Sequence, residues 1–210
     1  AKRHNIPLIV DNTMATPYLI KPFEHGADIV VHSATKFLGG HGNSIGGLVV
    51  DGGTFPWAGD ARFPMLSAPR PEYAGKVLAE TFGNFAFAIA VRVLGLRDLG
   101  PALSPFNAFL LLSGIETLPL RMQRHCDNAL AVATFLQAHP AVAWVSYPGL
   151  ETDKYHQLAR RYTPHGAGAV FTLGLKGGYE AGVKLVANLT LFSHLDRKST
   201  RLNSSHVKIS

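Results

Sequence analysis

Val10-Asp11-Asn12-Thr13, then Ala27-Asp28-Ile29-Val30-Val31-His32-Ser33-Ala34-Thr35-Lys36, then Phe37-Leu38-Gly39-Gly40-His41-Gly42-Asn43-Ser44-Ile45-Gly46-Gly47: this stretch decides the fold. Two short apolar runs inside it, Pro7–Val10 and Ile29–Val31, are rich in β-branched residues and bounded by turn residues. They read as buried parallel strands. Each run leads into polar groups: Asp11 follows the first, and Ser33, Thr35 and Lys36 follow the second. Open α/β sheets bind ligands in the crevice outside the carboxyl ends of their strands. An acid, two hydroxyls and an amine are therefore expected in one crevice.

The combination suggests a specific chemistry. A lysine can form a Schiff base with an aldehyde. An aspartate can keep a pyridine nitrogen protonated, so that the ring acts as an electron sink. Hydroxyls and glycine backbone just after a strand can hold a phosphate. Together these describe pyridoxal 5′-phosphate. Each residue alone has a plainer reading, since a lone lysine after a strand is usually a solvated surface residue. The spacing Asp-Asn-Thr, then Ser-Ala-Thr-Lys, two residues, Gly-Gly-His is far more specific than its parts.

On these residues the chain resembles the pyridoxal-phosphate-dependent enzymes of cysteine and methionine metabolism, the cystathionine gamma-synthase-like family of fold type I. The resemblance implies that Lys36 carries the cofactor, Asp11 pairs with its pyridine nitrogen, and Ser33 and Thr35 bond its phosphate. The branch most resembled is that of the O-acetylhomoserine sulfhydrylases. Its flavour lies in residues 37–47 and in the insert from Gly53-Thr54-Phe55-Pro56-Trp57 to Glu80-Thr81-Phe82-Gly83. The implied reaction is gamma-replacement: sulfide or a thiol displaces acetate from O-acetyl-L-homoserine, giving homocysteine or methionine. A carbon–sulfur lyase of the methionine gamma-lyase type is the alternative within the family, and a non-catalytic truncated piece is another. The implied partners are the amino-acid substrate, sulfide and further copies of the chain, as a dimer or tetramer.

The resemblance covers about Ala1–Leu195 and implies an α/β fold in two parts. Residues 1–115 are expected to be the C-terminal part of the large, mostly parallel-sheet cofactor domain. Residues 116–195 are expected to be part of a small C-terminal α/β domain. The family builds its site from further segments too, so the 210 residues alone are expected to be inactive. The strand after the lysine runs antiparallel in this fold, which implies the same for Gly46–Val50. The family's usual Tyr-His-Gly is replaced here by Tyr73-Ala74-Gly75.

Outward from the centre, Pro22–His25 reads as a helical turn closed by Gly26. Thr54–Tyr73 is irregular, with four prolines and with Trp57, Phe63 and Tyr73 between them. Its aromatics suit an oligomer contact or an entrance wall, or ordinary loop packing. Phe85–Leu96 is apolar nearly all round and reads as a buried helix. Ser104-Pro105 opens the next helix, Ser as N-cap and Pro at the first position. Glu116–His139 reads as a long amphipathic helix whose inner face includes Leu118, Met122, Ala129, Val132, Ala133 and Leu136, with Arg121 on the polar side. Beyond it a strand at 142–147, a helix at 155–162, a strand at 169–175 and a helix at 180–189 read as a small α/β unit.

The glycines at 39, 40, 42, 46 and 47 suit close backbone approach to a cofactor, or in part a tight turn. Residues 196–210 have no apolar periodicity and depart from the family. They read as a polar tail that does not pack, resembling translated adapter read-through, with a divergent natural tail as the alternative.

Composition bounds the rest. At 47% hydrophobic and 16% charged, 210 residues suit a globular protein with a sizeable core. Half of the net charge of +6 comes from Arg197, Lys198, Arg201 and Lys208 against Asp196. No basic stripe interleaved with aromatics occurs elsewhere, so nucleic acid is not an expected partner. The apolar runs fall short of the ~20 residues of a membrane span. The chain opens with neither an initiator Met nor a signal-peptide pattern. A single cysteine, Cys126, fits a reducing cytoplasm and reads as a packing residue in a helix. Ten histidines lack metal-ligand spacing, so no metal is expected. His41 reads as a supporting group behind the site or as a turn residue.

Overall fold

The computed structural model describes residues 1–190. The expected polar tail at 196–210, and the end of the family-like stretch before it, lie outside the described residues. In chain order the elements begin with β1 (Ile9–Asp11), α1 (Thr16–Leu19), β2 (Ile29–Ser33) and β3 (Gly47–Asp51). Short helices follow: α2 (Pro64–Ser67), α3 (Leu78–Phe82) and α4 (Ala86–Ala90), the last continuing as a π-helix over Val91–Asp98. Then come α5 (Pro105–Glu116), α6 (Leu118–Ala138), β4 (Val142–Ser146), α7 (His156–Tyr162), β5 (Thr172–Leu175) and α8 (Gly178–Ala187). The turn Pro22–His25 is a 3-10 helix, stopped by Gly26 at φ 88°.

The chain divides into two compact units with interleaved segments. The first comprises Ala1–Asp11, Pro22–His32 and Gly47–Phe106. Its sheet has the order β1-β2-β3. β1 and β2 are parallel, with Ile9, Val10 and Asp11 opposite Ile29, Val30 and Val31. The Gly52 amide bonds the Asp28 carbonyl, and Gly47 lies beside the His32 carbonyl. The end of β3 thus meets the start of β2, making this pair antiparallel, as the resemblance implied.

Asp28 fixes the entry to the sheet. Its buried carboxylate accepts bonds from the Leu8 amide (2.9 Å) and from Thr54 Oγ1 (2.9 Å). Ile29 packs with Trp57, Leu66, Leu78, Ala79, Ala86 and Ala90 into this unit's core. The aromatics of the irregular segment belong to that core. Trp57 is 5% exposed, stacks on Phe87 and meets Phe55 and Phe63. Of the readings open for them, internal packing is the one realised.

Three expectations need correction here. β2 is buried, but β1 is not: Ile9 is 54% exposed, because β1 has β2 as its one strand neighbour among the described residues. The helical run over 85–96 forms, yet it is not buried. Phe85 is 72% exposed, and only Ala86 and Ala90 reach the core deeply. The helical run Leu78–Asp98, 21 residues with an 18-residue window of mean hydropathy 1.3, is also long and apolar enough to cross a membrane by length and composition. Leu78, Ala79, Ala86 and Ala90 within it are core residues of the first unit.

The second unit comprises Asn12–Lys21, Ser33–Gly46 and the chain from Asn107 onward. One core cluster joins Leu19, Ala34, Phe37, Leu38, Leu111, Leu118, Met122 and Cys126. Here α5 and α6 close over the residues that flank Lys36. Another joins Ala129 and Ala133 of α6 to Tyr147 and Leu150. β4 and β5 are antiparallel, and Tyr147 Oη donates to the Gly168 carbonyl (2.8 Å). The inner face of α6 is Leu118, Met122, Cys126, Ala129 and Ala133. Val132, expected on that face, is 45% exposed. Gly114 does not end a helix; α5 runs through it to Glu116.

Candidate cofactor site

The centre of the candidate site is a tight turn at the end of β2, inside the second unit. The Lys36 amide donates to the Ser33 carbonyl (3.2 Å), and the Lys36 carbonyl accepts from the Gly40 amide (2.8 Å). The Gly39 amide reaches the Ala34 carbonyl (2.9 Å). Phe37, Leu38, Gly39 and Gly40 are all buried, while Lys36 itself is half-buried. An amine on such a turn has its backbone fixed on both sides and its side chain partly open.

The hydroxyls around Lys36 divide by availability. The Ser33 amide donates to Thr13 Oγ1 (2.8 Å). Ser44 Oγ is buried without a partner. Thr35 differs. Its hydroxyl donates to the Gly46 carbonyl (3.2 Å) and accepts from the Gly46 amide (3.0 Å). A hydroxyl has one proton to donate, so Thr35 Oγ1 staples the two ends of the glycine loop, and giving that proton to a phosphate means releasing Gly46. Ser44 was not singled out in the sequence. Its signal is a small hydroxyl between exposed Asn43 and exposed Ile45, turned inward alone.

The glycines serve a different neighbour from the one expected. A Cβ added at Gly39 would lie 2.7 Å from Leu111 Cδ2 and 2.8 Å from the Ala34 carbonyl oxygen. One added at Gly40, at φ 69°, would fall on the guanidinium of Arg121, and one added at Gly114 would fall on the Gly39 backbone. Gly39 and Gly40 therefore let α5 and α6 approach the lysine turn. His41 Nδ1 donates to the Gly39 carbonyl (2.7 Å), which makes His41 a turn residue.

Arg121 was read as part of a polar helix face, but it is a clamp. Nη1 donates to the Phe37 carbonyl (2.8 Å), and Nη2 to those of Leu38 (3.2 Å) and Gly114 (2.7 Å). Burial holds its pKa below the ordinary arginine value. One turn along, His125 meets the Phe37 ring edge-on at 5.4 Å. Burial, and secondarily the Arg121 charge, push the His125 pKa down. Cys126 is buried, and burial pushes its thiol pKa up, as suits a packing residue rather than a nucleophile.

Asp11 belongs to the first unit. It is the exposed last residue of β1, opposite Val31 in the parallel register. Within the second unit the residues present fit pyridoxal phosphate: a half-buried lysine for its aldehyde and, in Ser44, a buried hydroxyl with no partner.

Comparison with known proteins bears on the same chemistry. The profile of the family described as Cys/Met metabolism PLP-dependent enzyme matches residues 1–198. An O-acetyl-L-homoserine sulfhydrylase of Leptospira meyeri is 54% identical over 204 residues, 93% of this chain and 46% of that protein. A homocysteine synthase of Schizosaccharomyces pombe is 53% identical over 192 residues, 90% of this chain and 45% of that protein. A crystal structure described as an O-acetylhomoserine (thiol)-lyase from Campylobacter jejuni, with N′-pyridoxyl-lysine-5′-monophosphate in its chain, superposes with a TM-score of 0.86 at 38% identity. It covers 94% of this chain and 49% of that one. The chain thus spans about half the length of the curated relatives it matches.

Proposed function

The chain belongs to the Cys/Met metabolism PLP-dependent enzymes, and from that premise we propose that the full-length protein containing it performs gamma-replacement on O-acetyl-L-homoserine. Sulfide or a thiol takes the place of acetate, giving homocysteine or methionine. Identity of 50–54% to proteins named O-acetyl-L-homoserine sulfhydrylase and homocysteine synthase supports this choice within the family. The single observation that carries it to particular atoms is the Lys36 turn, a half-buried lysine followed in the same segment by the buried, unpartnered hydroxyl of Ser44.

Pyridoxal phosphate, when bound, supplies an electron sink for the charge left at the substrate's α-carbon. Lys36 Nζ would hold the cofactor through its aldehyde carbon, and the same amine, when free, would move the α- and β-protons of the substrate. Asp11 would accept the hydrogen bond of the protonated ring nitrogen and keep that proton in place. Ser33 would bond the phosphate, and Thr35 would support it by fixing the loop or by exchanging its bond to Gly46. The proposed assembly is a homo-oligomer, dimer or tetramer, in the cytoplasm; low cysteine usage, with Cys126 alone in 210 residues, supports a reducing setting. For the whole protein we further propose a cofactor-domain part over 1–115 and a small-domain part over 116–195, a division other than the two interleaved compact units of this chain.

The test is product analysis with O-acetyl-L-homoserine, in the presence and absence of sulfide. A suitable protein is a full-length chimera in which this chain replaces the matching segment of the Leptospira meyeri relative. Homocysteine formed only with sulfide supports replacement. A 2-oxo acid formed equally fast without sulfide points to the lyase reaction instead.

A further inference from the structure

We propose that Arg121 is the positioning residue for Lys36, acting through the peptide units that follow the lysine. This rests on the reading that Lys36 carries the cofactor. The turn that presents Lys36 ends in the carbonyls of Phe37 and Leu38. Carbonyls at the end of a helical turn need partners from outside it and carry a partial negative charge. The Arg121 guanidinium supplies both needs, donating to Phe37 O at 2.8 Å and to Leu38 O at 3.2 Å. Its remaining bonds, to Gly114 O (2.7 Å) and Thr117 Oγ1 (3.0 Å), tie the same group to the junction of α5 and α6. The two ends of the clamp are 83 and 84 residues apart in sequence.

The placement has a cost that plain packing does not require. The guanidinium is partly desolvated, and its partners are neutral carbonyls and a hydroxyl. Even partial desolvation of a cation without a carboxylate partner costs free energy unless its donors are well satisfied. Space is reserved for it as well, since a side chain at Gly40 would occupy its position. Phe37, 2% exposed, is held by its carbonyl through Arg121 and by its ring against His125. The Gly40 amide holds the Lys36 carbonyl and Arg121 the next two, so the backbone that sets the direction of the Lys36 Cα–Cβ bond is fixed. Misplacing a reacting group by about 1 Å is enough to slow a reaction severely.

The experiment uses the full-length chimera with Arg121→Met, Arg121→Lys and, as a control on the exposed side of α6, Arg124→Met. Four quantities are read: cofactor dissociation constant, pH midpoint of the bound-cofactor absorbance, hydrogen exchange of peptide 33–40, and melting temperature. Arg121→Met is expected to weaken cofactor binding by about tenfold or more, as loss of charge-assisted bonds implies. It is also expected to shift the pH midpoint and to speed exchange in 33–40 above other peptides. Arg121→Lys should recover part of each, and Arg124→Met should change none. Should Arg121→Met fail to fold, Arg121→Lys decides. Wild-type affinity, pH midpoint and local exchange in a folded Arg121 variant overturn the proposal, as does a melting-temperature loss alone. Failure of the underlying reading is separate: Lys36→Ala would then still hold the cofactor covalently.

Discussion

Gly39→Ala tests how closely α5 is drawn onto the lysine turn. Gly39 has no left-handed backbone angle, so an alanine there meets no φ strain. The new Cβ would instead sit 2.7 Å from Leu111 Cδ2 and 2.8 Å from the Ala34 carbonyl oxygen. Leu111 could turn away, but Ala34 O is backbone of the turn itself and bonds the Gly39 amide. Overpacking of this kind costs about 1–3 kcal/mol. With a urea m-value of ~3 kcal/mol/M, the midpoint should fall by ~0.3–1 M. Gly114→Ala should cost more, because its Cβ would meet the Gly39 backbone from a helix that cannot yield locally. Gly95→Ala is the counterpart: its Cβ would meet only Val91 Cγ1, at 4.0 Å. There the gain in helix propensity, up to ~1 kcal/mol, should raise or hold stability. Urea titration of the three variants in the full-length chimera measures this. Equal midpoints for Gly39→Ala, Gly95→Ala and wild type would refute the close approach.

Asp11→Asn should leave some cofactor binding but cut turnover by more than about tenfold, ~1.4 kcal/mol of barrier, because a neutral amide cannot hold the ring nitrogen protonated; steady-state kinetics of the chimera decides it. His125, with its folded pKa depressed by burial and then by Arg121, contributes stability that is full above its unfolded value of about 6.5 and is lost as pH falls toward the folded value. Denaturation midpoints measured across that acid range should therefore drop less for His125→Gln than for wild type. The 210-residue chain expressed alone should form no homocysteine from O-acetyl-L-homoserine and sulfide and should aggregate through exposed apolar strand residues such as Ile9, Leu48 and Val49, as light scattering and a coupled activity assay would show.

The parts legible in the sequence were those written locally. Ile29–Val31 announced β2, because an uninterrupted apolar run ending in hydroxyls and a lysine has few other readings. Ser104-Pro105 marked a helix start through backbone chemistry alone. Exposure was less legible, since it depends on what lies beside a segment. Ile9 and Phe85 look like core residues by type, yet β1 and the helical run have few neighbours on those sides. The glycines of 39–42 showed that something comes close, but not that α5 and α6 do. Arg121 was hidden for a related reason. Its partners are backbone carbonyls, which every residue possesses, so no side-chain pattern records the contact. Its position one residue before Met122 and three after Leu118, at the border of the buried face, was the available signal. Ser44 was hidden by lying outside the Ser-Ala-Thr-Lys spacing, although it shares the same loop.

The central claim is that Lys36 is the cofactor-bearing residue. Its most direct test is reduction of the pyridoxal-phosphate-loaded chimera with borohydride, followed by peptide mass spectrometry. The account predicts a single phosphopyridoxyl adduct, on the peptide carrying Ser33-Ala34-Thr35-Lys36 and at Lys36, absent from Lys36→Ala. An adduct on any other lysine, or one that persists in Lys36→Ala, would contradict it.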